Sequence, residues 1–116
     1  MGDTDGRSSR LLRGVLDACL LAIVEAEDRY GYELTSALHA AGLDTVSDGS
    51  IYPLLTRLEK RGLLSSYRRP AASGPPRRYY QITPKGRSEL ATAVSIWQQV
   101  ATGVDAVLGR HRDEGK

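Results

Sequence analysis

A single cysteine, Cys19, leaves this 116-residue chain without an internal disulfide, which fits a reducing compartment. No apolar run is long enough to span a bilayer, and Met1 to Arg10 lacks the apolar middle section of a secretory signal, so a cytosolic protein is expected. The signatures of catalysis are missing too. No nucleophile stands beside a base, no glycine-rich loop could cradle a phosphate and no HExxH run occurs, so nothing in the residues supports an enzyme. His39 and His111 lie far apart, without Cys, His or carboxylate groups at ligand spacing; no metal and no cofactor is expected. No internal repeat is visible. A chain of this length makes one small domain, much of whose surface stays exposed unless a partner covers it, so oligomerisation is a natural expectation.

What is present is a charge segregation hidden by a bland total. The formal net charge is only +2. Yet between Arg57 and Arg87 stand Arg57, Lys60, Arg61, Arg68, Arg69, Arg77, Arg78, Lys85 and Arg87, against one acid, Glu59. Such clustering is the footprint of a surface that neutralises phosphates, because each cation near a polyanion releases a condensed counterion.

Residues 1–9 are small and polar, with little apolar surface to offset the entropy of ordering, and read as a disordered arm. From Arg10 to Asp28, Leu12, Val15, Leu16, Cys19, Leu20 and Ile23 recur at helical steps on one face. Leu11, Leu21 and Val24 widen the apolar surface beyond one stripe, which suggests contacts with the chain's own core and with something else. A second helix is expected from about Tyr30 to Ala41, with Leu34, Ala37, Leu38 and Ala41 inward and Gly42 as its stop. A third starts near Asp48, behind the capping residues Ser47 to Ser50, and Pro53 sits where a missing N–H is tolerated. Its buried stripe is Ile51, Leu54, Leu55 and Leu58, and Gly62 ends it. Leu63 to Arg69 and Arg77 to Ile82 read as antiparallel strands joined by the mobile loop Pro70 to Pro76. Thr83-Pro84 caps and opens a last helix reaching about Leu108, whose Leu90, Val94, Trp97, Ala101, Val104 and Leu108 step alternately by four and three, a coiled-coil-like seam.

The fold class is therefore mainly α with a small β-hairpin: a winged helix-turn-helix of three helices, a two-stranded wing and a long C-terminal dimerisation helix. The expected organisation is a DNA-binding domain over 10–83, a dimerisation helix over 84–109 and a flexible tail over 110–116. On the third helix, Gly49, Pro53, Thr56 and Lys60 lie opposite the buried stripe, flanked by Ser50, Tyr52 and Arg57. A face that is small at its start and basic further on can approach the floor of a DNA major groove. The candidate DNA-binding residues are Ser47, Ser50, Tyr52, Pro53, Thr56, Arg57 and Lys60, with Arg77 and Arg78 on the wing. Adjacent strand positions point to opposite faces, so one of these two arginines faces away from a duplex.

The runs Gly31-Tyr32-Glu33-Leu34, Gly49-Ser50-Ile51-Tyr52-Pro53-Leu54-Leu55, Leu58-Glu59-Lys60-Arg61-Gly62-Leu63 and Tyr79-Tyr80-Gln81-Ile82-Thr83-Pro84-Lys85-Gly86 resemble the PadR family of bacterial transcriptional regulators over about residues 11 to 108. The resemblance implies a homodimeric repressor on an inverted-repeat operator, associated with the nucleoid when bound, its third helix in the major groove and its wing on flanking backbone or minor groove. It is similar to the compact branch with one helix after the wing, in which that helix joins the first helix of the partner. The implied interface, which would also border any effector, takes Leu12, Val15, Leu16 and Cys19 with Leu90, Val94, Trp97, Ala101, Val104 and Leu108. Multidrug-sensing relatives bind flat aromatic compounds beside a tryptophan that Trp97 matches, so a small aromatic effector that releases the operator is an implied partner. The proline-rich wing tip departs from the family pattern.

Each candidate has a plainer reading. Tyr52 could pack against the first turns of its helix, and Arg57 and Lys60 could be a solvated helix face. Trp97 serves first as an interface anchor, and Cys19 as a small buried hydrophobe rather than a redox switch. The alternative function is a winged-helix protein-interaction module whose exposed helix meets an acidic protein surface.

Overall fold

The computed structural model describes residues 7–114. Helices α1 (Arg7–Arg13) and α2 (Leu16–Ala26) lead into a two-residue strand, β1 (Arg29–Tyr30). Helices α3 (Gly31–Ala40) and α4 (Asp48–Lys60), strands β2 (Leu64–Arg69) and β3 (Arg77–Ile82), and the long helix α5 (Pro84–Glu114) follow. The sheet is antiparallel with order β1-β3-β2. The expected two-stranded wing thus gains a third strand too short to show periodicity.

The starts of the helices are chemically encoded. Ser47 Oγ accepts the Ser50 N–H at 3.3 Å while Ser50 Oγ accepts the Ser47 N–H at 3.1 Å, a reciprocal cap that begins α4 at Asp48. Glu33 accepts the Tyr30 N–H and closes the first turn of α3. Thr83 Oγ1 accepts the Gly86 N–H at 3.0 Å at the head of α5 and donates to the Gly62 carbonyl, fastening α5 to the end of α4. Gly42 and Gly62 follow α3 and α4 with positive φ, as their positions implied.

Ten of the fourteen buried apolar side chains come from four helices: Leu16, Leu20, Leu21 and Val24 of α2, Leu34 and Leu38 of α3, Ile51, Leu55 and Leu58 of α4, and Leu90 of α5; Leu64 of β2, Tyr80 of β3, and Val46 and Leu63 in the links before α4 and β2 complete the set. Fully burying each leucine stabilises the fold by roughly 1.5–3 kcal/mol. Leu54 is only partly buried, and Ala41, expected inward, is the exposed C-cap of α3.

Three expectations need correction. The single first helix is two, broken at Gly14 and Val15, where the Val15 N–H turns to the Leu12 carbonyl at 2.9 Å; a glycine followed by a β-branched residue is a weak place in a helix. The buried face is also turned: Leu21 and Val24 join Leu16 and Leu20 in the core, while Leu12, Val15, Cys19 and Ile23 are partly covered. Finally, the helices reach further than the outer limits of the domain. Residues 7–9 belong to α1 rather than an arm, and α5 continues through 110–114 because nothing after Gly109 breaks a helix. The remainder of the expected arm and tail, 1–6 and 115–116, lies outside the described residues.

Candidate nucleic-acid interface

Helices α3 and α4 are clamped at their turn. Thr35 Oγ1 donates to Asp48 Oδ1 at 2.5 Å, with the Gly31 carbonyl 3.3 Å away, and His39 Nε2 lies 2.5 Å from the Val46 carbonyl. The first of these ties the body of α3 to the first residue of α4, so the direction of α4 is fixed against α3. Asp48 also places a carboxylate at the positive end of the helix dipole.

From this clamped start α4 presents Ser50, Tyr52, Pro53, Thr56, Arg57 and Lys60 to solvent. The hydroxyls are already engaged: Ser47 and Ser50 cap the helix, and Thr56 Oγ1 donates to the Tyr52 carbonyl at 3.1 Å. Each keeps acceptor capacity for a further partner. Tyr52 is half exposed, and its other edge lies on Gly31 at the head of α3. Together with Tyr30, Tyr80, Arg77 and Arg78 these two residues line a groove of about 380 Å³ between the helix pair and the wing. Tyr52 therefore has one edge packed and one edge open.

The basic residues divide in a way their sequence does not reveal. Arg57 Nη2 lies 2.8 and 2.7 Å from the two oxygens of Asp17 on α2. Arg61 lies between Asp17 at 4.0 Å and Glu89 at 3.7 Å, and Arg87 pairs with Glu25 at 3.5 Å. Arg78 sits 3.7 Å from Glu59 and donates to Ser66. Lys85 donates to the Arg61 carbonyl at the end of α4, where the helix dipole favours a cation. Arg57, expected as a phosphate contact, is paired within the protomer with an acid from another helix. Among the described residues no carboxylate lies within ion-pair distance of Lys60, Arg68, Arg69 or Arg77.

Strand register separates the wing arginines. Tyr80 and Leu64 face the core, so Tyr67, Arg69, Arg77 and Tyr79 face out, with Tyr30 of β1 beside Tyr79. The Arg69 guanidinium lies 3.8 Å from the centre of the Tyr79 ring and that of Arg77 lies 4.6 Å from Tyr30. Tyr67 donates to Asp28 at 2.6 Å and accepts from Arg69 at 2.9 Å, and the bond to Asp28 raises the Tyr67 phenol above its usual range. Of the two expected wing contacts, Arg78 lies on the Tyr80 face of the strand and pairs with Glu59, Arg77 lies on the opposite face with no carboxylate within ion-pair distance among the described residues, and both side chains line the groove at Tyr52. Arg68 and Arg69 join the unpaired set; their place in the basic run flagged them, but only the register shows which face each occupies.

At the other end of the molecule α5 carries exposed Val94, Ile96, Trp97, Val100, Val104, Val107 and Leu108, and α1 exposes Leu11. Two apolar grooves of about 380 and 320 Å³ run between α5 and the α1–α2 segment, and Val15, Ala18, Ala93 and Trp97 line both. Of the expected interface residues, Leu12, Val15, Cys19 and Ala101 are partly buried, and Val94, Trp97, Val104 and Leu108 are exposed. Leu16 and Leu90 are corrections: both belong to the protomer's own core, at 9% and 5% exposure. Ile96, Val100 and Val107 were missed. They form a second 3–4 stripe, offset by one residue from the seam, so the apolar face of α5 is wider than one coiled-coil contact. Partial burial among these apolar residues raises the Cys19 thiol above its ordinary range. No helix among the described residues is long and apolar enough to cross a membrane, and none of their His, Cys, Asp and Glu groups forms a metal-binding cluster.

A clamped helix pair, an exposed helix on its outer side and a three-stranded wing with unpaired cations define a winged helix-turn-helix of the DNA-binding kind. The chain belongs to the transcriptional regulator PadR-like family, whose profile matches residues 20–92; members of this family bind DNA. A PadR-like transcriptional regulator of known structure from Bacillus cereus is 42% identical, with a TM-score of 0.79 over 85% of this chain and 96% of that one. A transcriptional regulator of Mycobacterium tuberculosis is 46% identical over 75 residues, 65% of this chain and 68% of the relative. An uncharacterized protein of Lysinibacillus sphaericus is 30% identical over 102 residues, 86% of this chain and 94% of the relative. The chain is accordingly a PadR-like transcriptional regulator.

Proposed function

We propose that this regulator is a cytosolic homodimeric repressor that occupies an inverted-repeat operator on the nucleoid and leaves it when a small aromatic molecule binds beside Trp97. The observation that carries the DNA half is the set Lys60 on α4 and Arg68, Arg69 and Arg77 on the wing, exposed cations without carboxylate partners among the described residues. Unneutralised guanidinium and ammonium groups gain most from displacing phosphate counterions. Tyr52, Pro53 and Thr56 would meet base edges, with Ser47 and Ser50 at the helix start, Lys60 would meet backbone and the wing would supply Arg77. Arg57 joins them only by exchanging Asp17 for a phosphate.

The dimer half is supported by the apolar width of α5. A helix exposing Val94, Trp97, Val100, Val104 and Leu108 loses apolar surface to water unless a second copy covers it. Two-fold symmetry would then place two α4 helices in successive major grooves, about 34–36 Å apart. An effector seated in the grooves at Trp97 would act by favouring one arrangement of the two α5 helices over the DNA-competent one. Repression by occupying a promoter is the outcome the family resemblance implies.

Titrating the protein against duplex DNA from upstream of its own gene at several salt concentrations tests the proposal. Affinity should fall log-linearly with salt, and sedimentation should give a dimer under the same conditions. Binding that ignores salt, or selective binding to an acidic protein in place of DNA, would favour a protein-interaction module.

A further inference from the structure

The outer face of the wing orders its two arginines without neutralising them. Arg69 and Arg77 are register partners on the last pair of the β2–β3 ladder and share the outward face. Like charges directly opposite each other are unfavourable unless an anion comes between them. No acid among the described residues is within ion-pair distance of either, and beneath them lie neutral rings: Tyr79 at 3.8 Å from the Arg69 guanidinium and Tyr30 at 4.6 Å from that of Arg77. The rings are themselves locked. Tyr30 meets Tyr79 edge-on at 5.3 Å, Tyr67 stacks on Tyr79 at 6.0 Å, and the bond from Tyr67 to Asp28 anchors the group to the end of α2. Arg57 shows the contrary arrangement, held by Asp17 at the expense of its charge.

We propose that Tyr79 and Tyr30 are positioning residues that hold Arg69 and Arg77 in place for the phosphodiester backbone, so that wing affinity depends on rings that never touch the DNA. The proposal rests on the DNA-binding reading above. An arginine loses rotamer freedom when it grips a phosphate. A π face restricts it beforehand while leaving its N–H edge and its full charge for the phosphate, apart from the one Arg69 N–H that is donated to the Tyr67 hydroxyl. A carboxylate would restrict it equally and cancel the attraction.

The test compares wild type, Tyr79→Leu, Tyr79→Phe, Tyr30→Leu and Arg69→Ala on a duplex from upstream of the gene and on an unrelated duplex of equal length, with melting curves recorded for each. Tyr79→Leu should weaken both complexes roughly three- to tenfold while leaving the salt slope at its wild-type value, because the cations remain. Tyr79→Phe should bind within about twofold of wild type, since the ring persists. Arg69→Ala should weaken binding and lower the salt slope by about one. Tyr30→Leu decides the matter through Arg77 if Tyr79→Leu melts early. Wild-type affinity in both leucine variants, or a phenylalanine variant as weak as the leucine one, overturns the positioning role while the DNA reading stands. A wild type with no salt-dependent affinity for either duplex overturns both.

Discussion

The Cβ that Gly31 lacks would stand 2.7 Å from the Tyr52 hydroxyl and 2.8 Å from its ring. The head of α3 is therefore a seat for the aromatic side chain on the outward flank of α4. An added methyl would meet the far end of a flexible side chain, so the ring must move while the backbone need not. Gly31→Ala is expected to melt close to wild type yet weaken operator binding by ~1–3 kcal/mol, comparable with Tyr52→Ala. The two changes act through one ring, so the double variant should lose little beyond either single one. Full additivity in DNA titrations would show that Gly31 and Tyr52 act separately.

Asp17 pairs with two half-exposed arginines, Arg57 at 2.7 Å and Arg61 at 4.0 Å. Exposed pairs of this kind contribute only ~0–1 kcal/mol to stability, so removing the acid is affordable for the fold. Asp17→Asn should raise DNA affinity and steepen the plot of log K against log salt by about 0.9 for each phosphate newly engaged. Arg57→Ala, by the same logic, should change affinity less than a wing arginine does. A slope that stays flat in Asp17→Asn would mean the released guanidiniums face away from the duplex.

Much of this arrangement is legible in the sequence because it is locally encoded. Ser47, Thr83-Pro84, Gly42 and Gly62 are caps and stops whose chemistry acts within a few residues, and the helices they delimit begin or end where they stand. What escapes is non-local. The pairing of Arg57 with Asp17 spans 40 residues, so a local excess of arginine overstates the free charge. β1 is two residues long and exists only through its register with β3. The strand faces of Arg77 and Arg78 likewise follow only from register, that of β2 with β3. The break at Gly14 and Val15 was hidden by an apolar period that runs straight across it. The stripe of Ile96, Val100 and Val107 was legible but masked by the better seam next to it.

Gly86 supplies a stability prediction. A Cβ there would lie 2.1 Å from the Leu63 carbonyl oxygen, which is backbone and already accepts the Thr83 N–H at 3.1 Å. Relief requires α5 to shift from the end of α4, disturbing the Thr83 cap and the burial of Leu90. Gly86→Ala should therefore destabilise the fold by at least the ~1–3 kcal/mol typical of overpacking, despite alanine's better helix propensity. Denaturant unfolding of the variant checks this, and a wild-type midpoint would show that the helix junction yields.

Trp97 is 51% exposed on the protomer and lines both apolar grooves. A large ring at the centre of an unpartnered apolar face is the arrangement from which interfaces draw most of their energy. Trp97→Ala should raise the dimer dissociation constant by a factor corresponding to about 2 kcal/mol or more, measured by sedimentation across a dilution series. It should also abolish the response to aromatic effectors. A dimer of unchanged affinity would move the interface to the outer stripe of Ile96, Val100 and Val107.

Cys19 offers a reporter for the same surface. Its thiol is half-buried in the groove with Leu12, Val15 and Trp97, and burial holds the thiol above its ordinary range. The thiolate is the reactive form, so alkylation at neutral pH should be slower than for an unstructured cysteine and should accelerate as pH rises. The sign for stability follows from the same shift. A proton held more tightly by the folded protein contributes fully below the ordinary thiol value of about 8.5 and is lost as pH climbs through the raised value, so Cys19→Ala should flatten the alkaline fall in stability. If a second copy covers the groove, raising protein concentration through the dimerisation range should slow alkylation further, whereas Trp97→Ala should restore the faster rate at every concentration. A rate that ignores both concentration and Trp97 would place the dimer contact away from this groove.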